Sequence, residues 1–346
     1  VTAFGDLNKY MHINNLPDEL IVLFFKFLCV EDVLTCETVC KRWKKLACDP
    51  ILWRQFVFIL SGQPERRKVT DKNLKIILSH SEYIYSLKIQ YDYDYSNIES
   101  VLDKCNNLIS LELVMCRIGK NFEEDIKKRI HLKKLSLKNS IQLSKQDNWI
   151  FPFNQLKELK YLALSDFGLS PTNCETLLDC THLSHIYIEK IKDLDLDFIK
   201  KLLSSKATKL ETLHIYGGDS IDDSCLSMLS KCLKLKDLAI IRCENLTDEG
   251  LVALMNFNKI ENLQIWNNTN FSEMALLKTL SSSTLIALER LSLSRIKNIS
   301  PMIVDVISEY YKKLKFLAVF QCPRIINTDY EKQLKSKFRN IDVVLY

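Results

Sequence analysis

The sequence predicts an α/β chain in two parts: a small N-terminal bundle of three helices, then a curved solenoid with a parallel sheet on its concave side and helices outside. Three observations predict it. From Ile84 onward one phrase recurs, an aliphatic residue, two variable ones, an aliphatic, one variable and an aliphatic. Copies start at Ile84, Leu108, Leu132, Leu159, Leu183, Leu210, Leu235, Ile260, Leu288 and Leu314, a spacing too regular for chance. A unit of that length cannot bury its own apolar face, so copies must stack. Before residue 58 the apolar residues recur instead at helical spacing. Lastly, the chain has 346 residues, 47% of them hydrophobic, and only seven glycines, which suits a large packed core.

The N-terminal elements come first. After a lead of residues 1–11, Leu16 and Pro17 open helix one; proline loses nothing there, because a first-turn N–H has no helical partner. Leu16, Leu20, Phe24 and Leu28 follow at helical spacing and make a ridge that can enter a groove. Helix two runs from about Val30, with Leu34, Val39 and Cys40 facing the bundle. The cluster Val39-Cys40-Lys41-Arg42-Trp43 supplies a large ring at Trp43, and Leu52 with Trp53 closes the module. Phe25, Phe27, Trp43 and Leu46 read as core. The same residues would serve a bundle with no partner, so periodicity alone does not give a function.

The order and spacing of these residues over 12–58 resemble the F-box. The resemblance implies docking on a Skp-family adaptor, which in turn binds cullin and RING subunits. It implies Leu16, Pro17, Leu20, Phe24, Leu28, Leu34, Val39, Cys40, Trp43, Leu52 and Trp53 as the adaptor-binding residues.

The recurring phrase resembles the leucine-rich repeat, in which the aliphatic pattern is a strand and the remainder returns as a helix. Cys116, Cys243 and Cys322 near strand ends, and Asn245-Leu246-Thr247-Asp248-Glu249-Gly250-Leu251, resemble its cysteine-containing subclass. Val69-Thr70-Asp71-Lys72-Asn73-Leu74 echoes the same wording, so residues 59–83 read as a degenerate first repeat or cap that would hold the helical module rigidly on the repeats of 84–346. Residues 121 to 155 depart from the pattern and read as an irregular loop.

Variable strand positions point to the concave side. Tyr161, Tyr187, His214, Tyr216, Ile241, Arg242, Trp266, Arg290, Arg295, Phe316 and Phe320 are the inward-facing set. The column after the third aliphatic, Tyr216, Ile241, Trp266 and Phe320, interrupted by Ser294, would form an apolar stripe, since neighbouring strands lie ~4.8 Å apart. Exposed stripes of that kind usually bind something. Tyr187, His214, Tyr216, Ile241, Arg242, Trp266, Arg295 and Phe320 are thus candidates for holding an unknown client protein. The chain's own tail could cover the stripe instead.

Composition narrows the rest. A net charge of +5 with one short basic run, Arg66-Arg67-Lys68, does not suggest nucleic acid. No apolar stretch reaches membrane length. Twelve cysteines without CxxC pairs read as reduced thiols of the cytoplasm or nucleus. Cys36 and Cys40 lie four apart on a predicted helix but lack histidine partners for zinc; His182 and His185 cannot both face one side of a strand. Asp193 to Asp197 lacks the glycine and terminal glutamate of a calcium loop and reads as a solvated helix start. Tyr91 to Tyr95 reads as a polar connection. No glycine-rich phosphate loop or nucleophile elbow can be assembled. No catalytic residue, metal or cofactor is expected. The resemblance implies a non-catalytic substrate receptor of an SCF-type ubiquitin ligase, with a scaffold or inhibitor built on the same repeats as the alternative.

Overall fold

A computed structural model describes residues 12–91, 95–118, 122–142, 151–167, 169–190, 194–217, 221–282, 284–326, 328–338 and 341–345. The lead of 1–11, the middle of the Tyr91–Tyr95 connection, part of the 121–155 segment and Asp193 lie outside the described residues. The chain divides into two compact units, Val1–Glu112 and Leu113–Tyr346.

Among the described residues the first unit opens with a 3-10 turn, Ile13–Asn15, followed by α1 (Asp18–Phe25), α2 (Val30–Val39), α3 (Lys41–Ala47) and α4 (Pro50–Trp53). Pro17 sits just ahead of α1 as its extended N-cap, and Asp18 and Glu19 fill the first turn, where carboxylates favour the exposed N–H groups. Cys40 does not continue α2. Its backbone is extended, and its thiol accepts from the Trp43 amide at 3.4 Å, so Cys36 and Cys40 belong to different helices. Asp49 caps α4 through the Ile51 N–H at 2.9 Å, with Pro50 at the first helical position.

These helices rest on β1 (Phe58–Ser61) and α5 (Arg67–Ser79). The 59–83 segment is a strand and a helix. β1 pairs in parallel with β2 (Ser86–Gln90), and Thr70 of α5 both donates to and accepts from the Ser61 backbone. Trp53 stacks on Phe58 and His80 and lies against Tyr83, while Lys72 pairs with Glu31 at 2.6 Å and His80 meets Glu37 at 3.2 Å. α6 (Tyr95–Lys104) completes this unit, and β3 (Ser110–Val114) carries the chain into the next.

In the second unit a two-residue strand, β4 (Arg117–Ile118), pairs with β6 (Ile141–Gln142), and α7 (Phe122–Lys127) lies between them in sequence. The segment expected to be irregular therefore holds α7, β5 (Lys134–Lys138) and β6. The repeats continue as β7 (Tyr161–Ser165), α8 (Pro171–Leu178), β8 (His185–Glu189), α9 (Leu196–Lys206), β9 (Thr212–Tyr216), α10 (Asp223–Leu229), β10 (Asp237–Ile241) and α11 (Asp248–Ala253). They end with β11 (Asn262–Trp266), α12 (Glu273–Leu280), β12 (Arg290–Ser294), α13 (Pro301–Tyr310), β13 (Phe316–Phe320), α14 (Asp329–Lys337) and β14 (Asp342–Leu345). From β5 and β7 to β14 each strand pairs in parallel with the next. Every copy of the aliphatic phrase is a strand, and its second and third aliphatics, such as Leu213 with Ile215 and Leu238 with Ile240, are buried.

One backbone device closes each turn. The residue after the strand is left-handed in Tyr91, Met115, Asn139, Asp166, Lys190, Gly217, Arg242, Asn267, Arg295 and Gln321. Only one of the ten is glycine. From Met115 to Arg295 its N–H donates to the last carbonyl of the next strand, as in Arg242 to Trp266 at 3.0 Å and Arg295 to Phe320 at 2.8 Å. That bond offsets the steric cost of the conformation, ~1–2 kcal/mol per residue.

Candidate functional site

Two surfaces carry the sequence-predicted residues. On the first unit, helix α1 buries Ile21, Val22 and Phe25, and Phe25 meets Trp43 edge-on with ring centroids 5.2 Å apart. Its other side leaves Leu20, Leu23 and Phe24 exposed, joined by Phe27 beyond its end and by Val39 and Ile51. Leu16, Leu28 and Leu34 are half-buried, and Pro17 is exposed.

Several expectations are corrected here. Phe27 is not core; it is 84% exposed, because the helix ends at Phe25 and the chain turns at Lys26. Val39 and Cys40 do not face the bundle; both are exposed, and Val33 and Cys36 fill the interior of α2 instead. Leu52 and Trp53 are each 0% exposed and cannot touch a partner. Trp53 is held by the Ala47 carbonyl, which accepts from its indole N–H at 2.8 Å, and by the aromatic stack on β1 and α5. Ile51, one residue earlier, is the exposed large apolar side chain of α4.

Arg42, inside the Val39–Trp43 cluster, has a role that the sequence pattern does not reveal. Its guanidinium donates to the Leu16 carbonyl at 2.6 Å and to the Asn14 carbonyl, and pairs with Asp18 at 2.6 Å. Trp43 adds an indole bond to Asn14 Oδ1 at 2.7 Å. Together they pin the Leu16-Pro17 turn to α3 across more than two dozen residues of sequence.

The second surface is the sheet face opposite the helices. The register aligns Tyr216, Ile241, Trp266, Ser294 and Phe320 in one row across β9 to β13. Trp266 is 38% exposed, and its indole N–H donates to Ser292 Oγ at 2.8 Å, which fixes the ring across the neighbouring strand. A groove of about 590 Å³ lies on this row, and Arg242, Arg290, Phe316 and Arg295 also line it. Arg242 and Arg295 are not strand residues; they occupy the left-handed corner after β10 and β12, at the groove rim. A second hollow of about 410 Å³ adjoins it and shares Tyr216, Ile241 and Trp266. Its floor carries Tyr161, Tyr187 and His214, with Tyr187 4.8 Å from Tyr161 and 4.5 Å from His214. His214 Nε2 meets Asp237 Oδ1 at 2.9 Å, and burial raises the Tyr187 phenol above its ordinary value. His185 is on this face against Thr212, whereas His182 is exposed. Asp195 caps α9.

Comparison with known proteins agrees with this layout. Residues 13–59 match the F-box-like family model. Over 227 residues the chain is 22% identical to F-box protein SKIP19 of Arabidopsis thaliana, covering 56% of this chain and 74% of that protein. Over 110 residues it is 26% identical to F-box/LRR-repeat protein 21 of Mus musculus, 31% of this chain and 25% of that one. A chain in the crystal structure of the Rad7 and Elc1 complex in yeast superposes with a TM-score of 0.51 at 15% identity, covering 94% of both chains. The protein therefore carries an F-box-like domain ahead of a leucine-rich-repeat-like fold. Among the described residues no helix is long and apolar enough to cross a membrane.

Proposed function

We propose that this chain is the substrate-recognition subunit of an SCF-type, cullin–RING ubiquitin ligase. Its exposed α1 face and the Leu16-Pro17 turn dock a Skp-family adaptor, and the open sheet face holds a client protein of the cytoplasm or nucleus. The chain itself does no chemistry; it raises the effective concentration of client beside the transferring enzyme. The observation that carries this reading is the apolar surface that the F-box-like domain keeps outside its core, Leu20, Leu23, Phe24, Phe27, Val39 and Ile51. Large aliphatic and aromatic anchors of this kind dominate binding energy once covered. The adaptor face is accordingly Leu16, Pro17, Leu20, Leu23, Phe24, Phe27, Leu28 and Val39, with Ile51 in place of Leu52 and Trp53.

The test is co-purification of adaptor and cullin with Leu20→Ala/Phe24→Ala, and separately with Leu16→Ala/Pro17→Ala, beside the unaltered chain. Exposed side chains are removed in the first pair, so folding is retained and adaptor recovery falls at least ~10-fold, the loss of two anchors at over 1 kcal/mol each. Undiminished recovery by both pairs overturns the proposal, and so does adaptor without any cullin, which marks a scaffold outside the ligase.

A further inference from the structure

The groove on β9 to β13 has a charge as well as a shape. Three guanidinium groups line it, from Arg242, Arg290 and Arg295, and among the described residues no aspartate or glutamate does. Two of the three are held ready. Arg290 lies over the Phe316 ring at 4.3 Å, and Arg295 lies 5.9 Å from the Phe320 ring centre while its Nε–H donates to Gln321 Oε1 at 2.6 Å. A guanidinium already stacked loses less freedom when it pairs bidentately with a carboxylate. Between them the floor is mixed: Gln264 and Ser292 are polar, while Ala318 and the Trp266 ring, which Ser292 fixes across the strands, are apolar.

We propose that this groove binds an acidic peptide segment bearing one large apolar side chain. The inference rests on the reading of this face as the client site and names the client's chemistry. The positions of the arginines set the spacing. Arg242 and Arg295 follow the ends of β10 and β12 at one rim, two strands and so roughly 10 Å apart. Arg290 opens β12 at the other rim, five residues or about 16 Å away along the strand. An extended peptide lying along the strands spans that distance in about five residues. Acidic side chains at both ends then meet the rims, and the apolar side chain between them covers Trp266.

The neighbouring hollow argues for polarity in the binding. It sets Glu189 against the single cation Lys138, with His214, and lacks the arginine triad, so negative charge is drawn to the β10–β13 end. The occupant is an unmodified acidic segment of another protein, because carboxylates suffice for paired guanidiniums.

The test is fluorescence anisotropy with the full chain and labelled nonapeptides: one with paired glutamates flanking a central leucine, the same with glutamine for glutamate, the same with alanine for leucine, and a phosphoserine version. The glutamate–leucine peptide binds, the glutamine peptide binds at least ~10-fold more weakly, and rising salt weakens binding. R242Q/R295Q reduces affinity ~10-fold, and Trp266→Ala reduces it for the leucine peptide but not for the alanine one. Equal binding of the glutamate and glutamine peptides overturns the proposal, as does binding of the phosphoserine peptide alone. The readout involves no adaptor, so peptide binding without adaptor recovery would sink the ligase reading only, and the reverse result this inference only.

Discussion

At the scale of single residues the repeats are joined by groups that look interchangeable in the sequence and are not. Asp223 at the start of α10 accepts from the Thr247 N–H at 2.9 Å and from the Thr247 hydroxyl at 2.6 Å, and so fixes the cap of α11 in the following repeat. Gly250 faces the same carboxylate. A methyl group built there would stand 2.2 Å from Asp223 Oδ1 and 3.3 Å from its Cα, so the carboxylate would have to leave its two donors. Gly250→Ala should therefore destabilise the chain by ~1–2 kcal/mol, although alanine is the better helix former. Thermal unfolding of a double-mutant cycle checks it: Gly250→Ala should cost clearly less stability in Asp223→Ala than in the natural background. A loss of equal size in both backgrounds would refute the clash. Lys206 makes a comparable link, buried with its ammonium donating to the Leu178 carbonyl at 2.6 Å and the Cys180 carbonyl at 2.8 Å, and burial lowers its pKa.

Between elements, the contact of α2 with α5 is electrostatic at its edge. The Lys72 ammonium, bonded to the Glu31 carboxylate, holds its pKa at about 2, well below the ordinary 4.5. A carboxyl that releases its proton more readily when folded stabilises above the unfolded value and loses that contribution as pH falls from about 4.5 through about 2. Both side chains are about half exposed, at 46% and 54%, so solvent screening limits the pair to under ~1 kcal/mol. Glu31→Gln should lower the melting temperature slightly at pH 7, hardly at all near pH 2, and less in 1 M salt; a pH-independent shift would mean packing, not charge. The same scale shows what a reader of the sequence can reach. Ten strands were legible because the aliphatic phrase repeats, and the Tyr216–Phe320 row because a regular repeat sets the register. β14 was not, since Ile341 to Leu345 carries no such phrase. Leu52, Trp53 and Phe27 were misplaced because helical spacing says which residues share a face, not which face β1 and α5 will cover. Arg42 was visible in its cluster, but its role needed the Leu16 carbonyl to be brought beside it.

At the scale of the whole molecule the two surfaces draw on different residues. The apolar α1 face belongs to the unit ending at Glu112, and the arginine-lined groove to the unit that begins at Leu113. They draw on different side chains, so changes in one should not couple to the other beyond the ~0.5 kcal/mol typical of independent sites. Leu20→Ala/Phe24→Ala should leave the affinity for an acidic peptide within about twofold, and Trp266→Ala should leave adaptor recovery unchanged. The combined variant should then show both losses in full. If adaptor binding instead alters peptide affinity by tenfold or more, some element passes a conformational change between the units, and linkage requires the peptide to alter adaptor affinity by the same factor. Measuring both directions separates a passive bridge between two partners from a receptor whose ligase contact depends on its cargo.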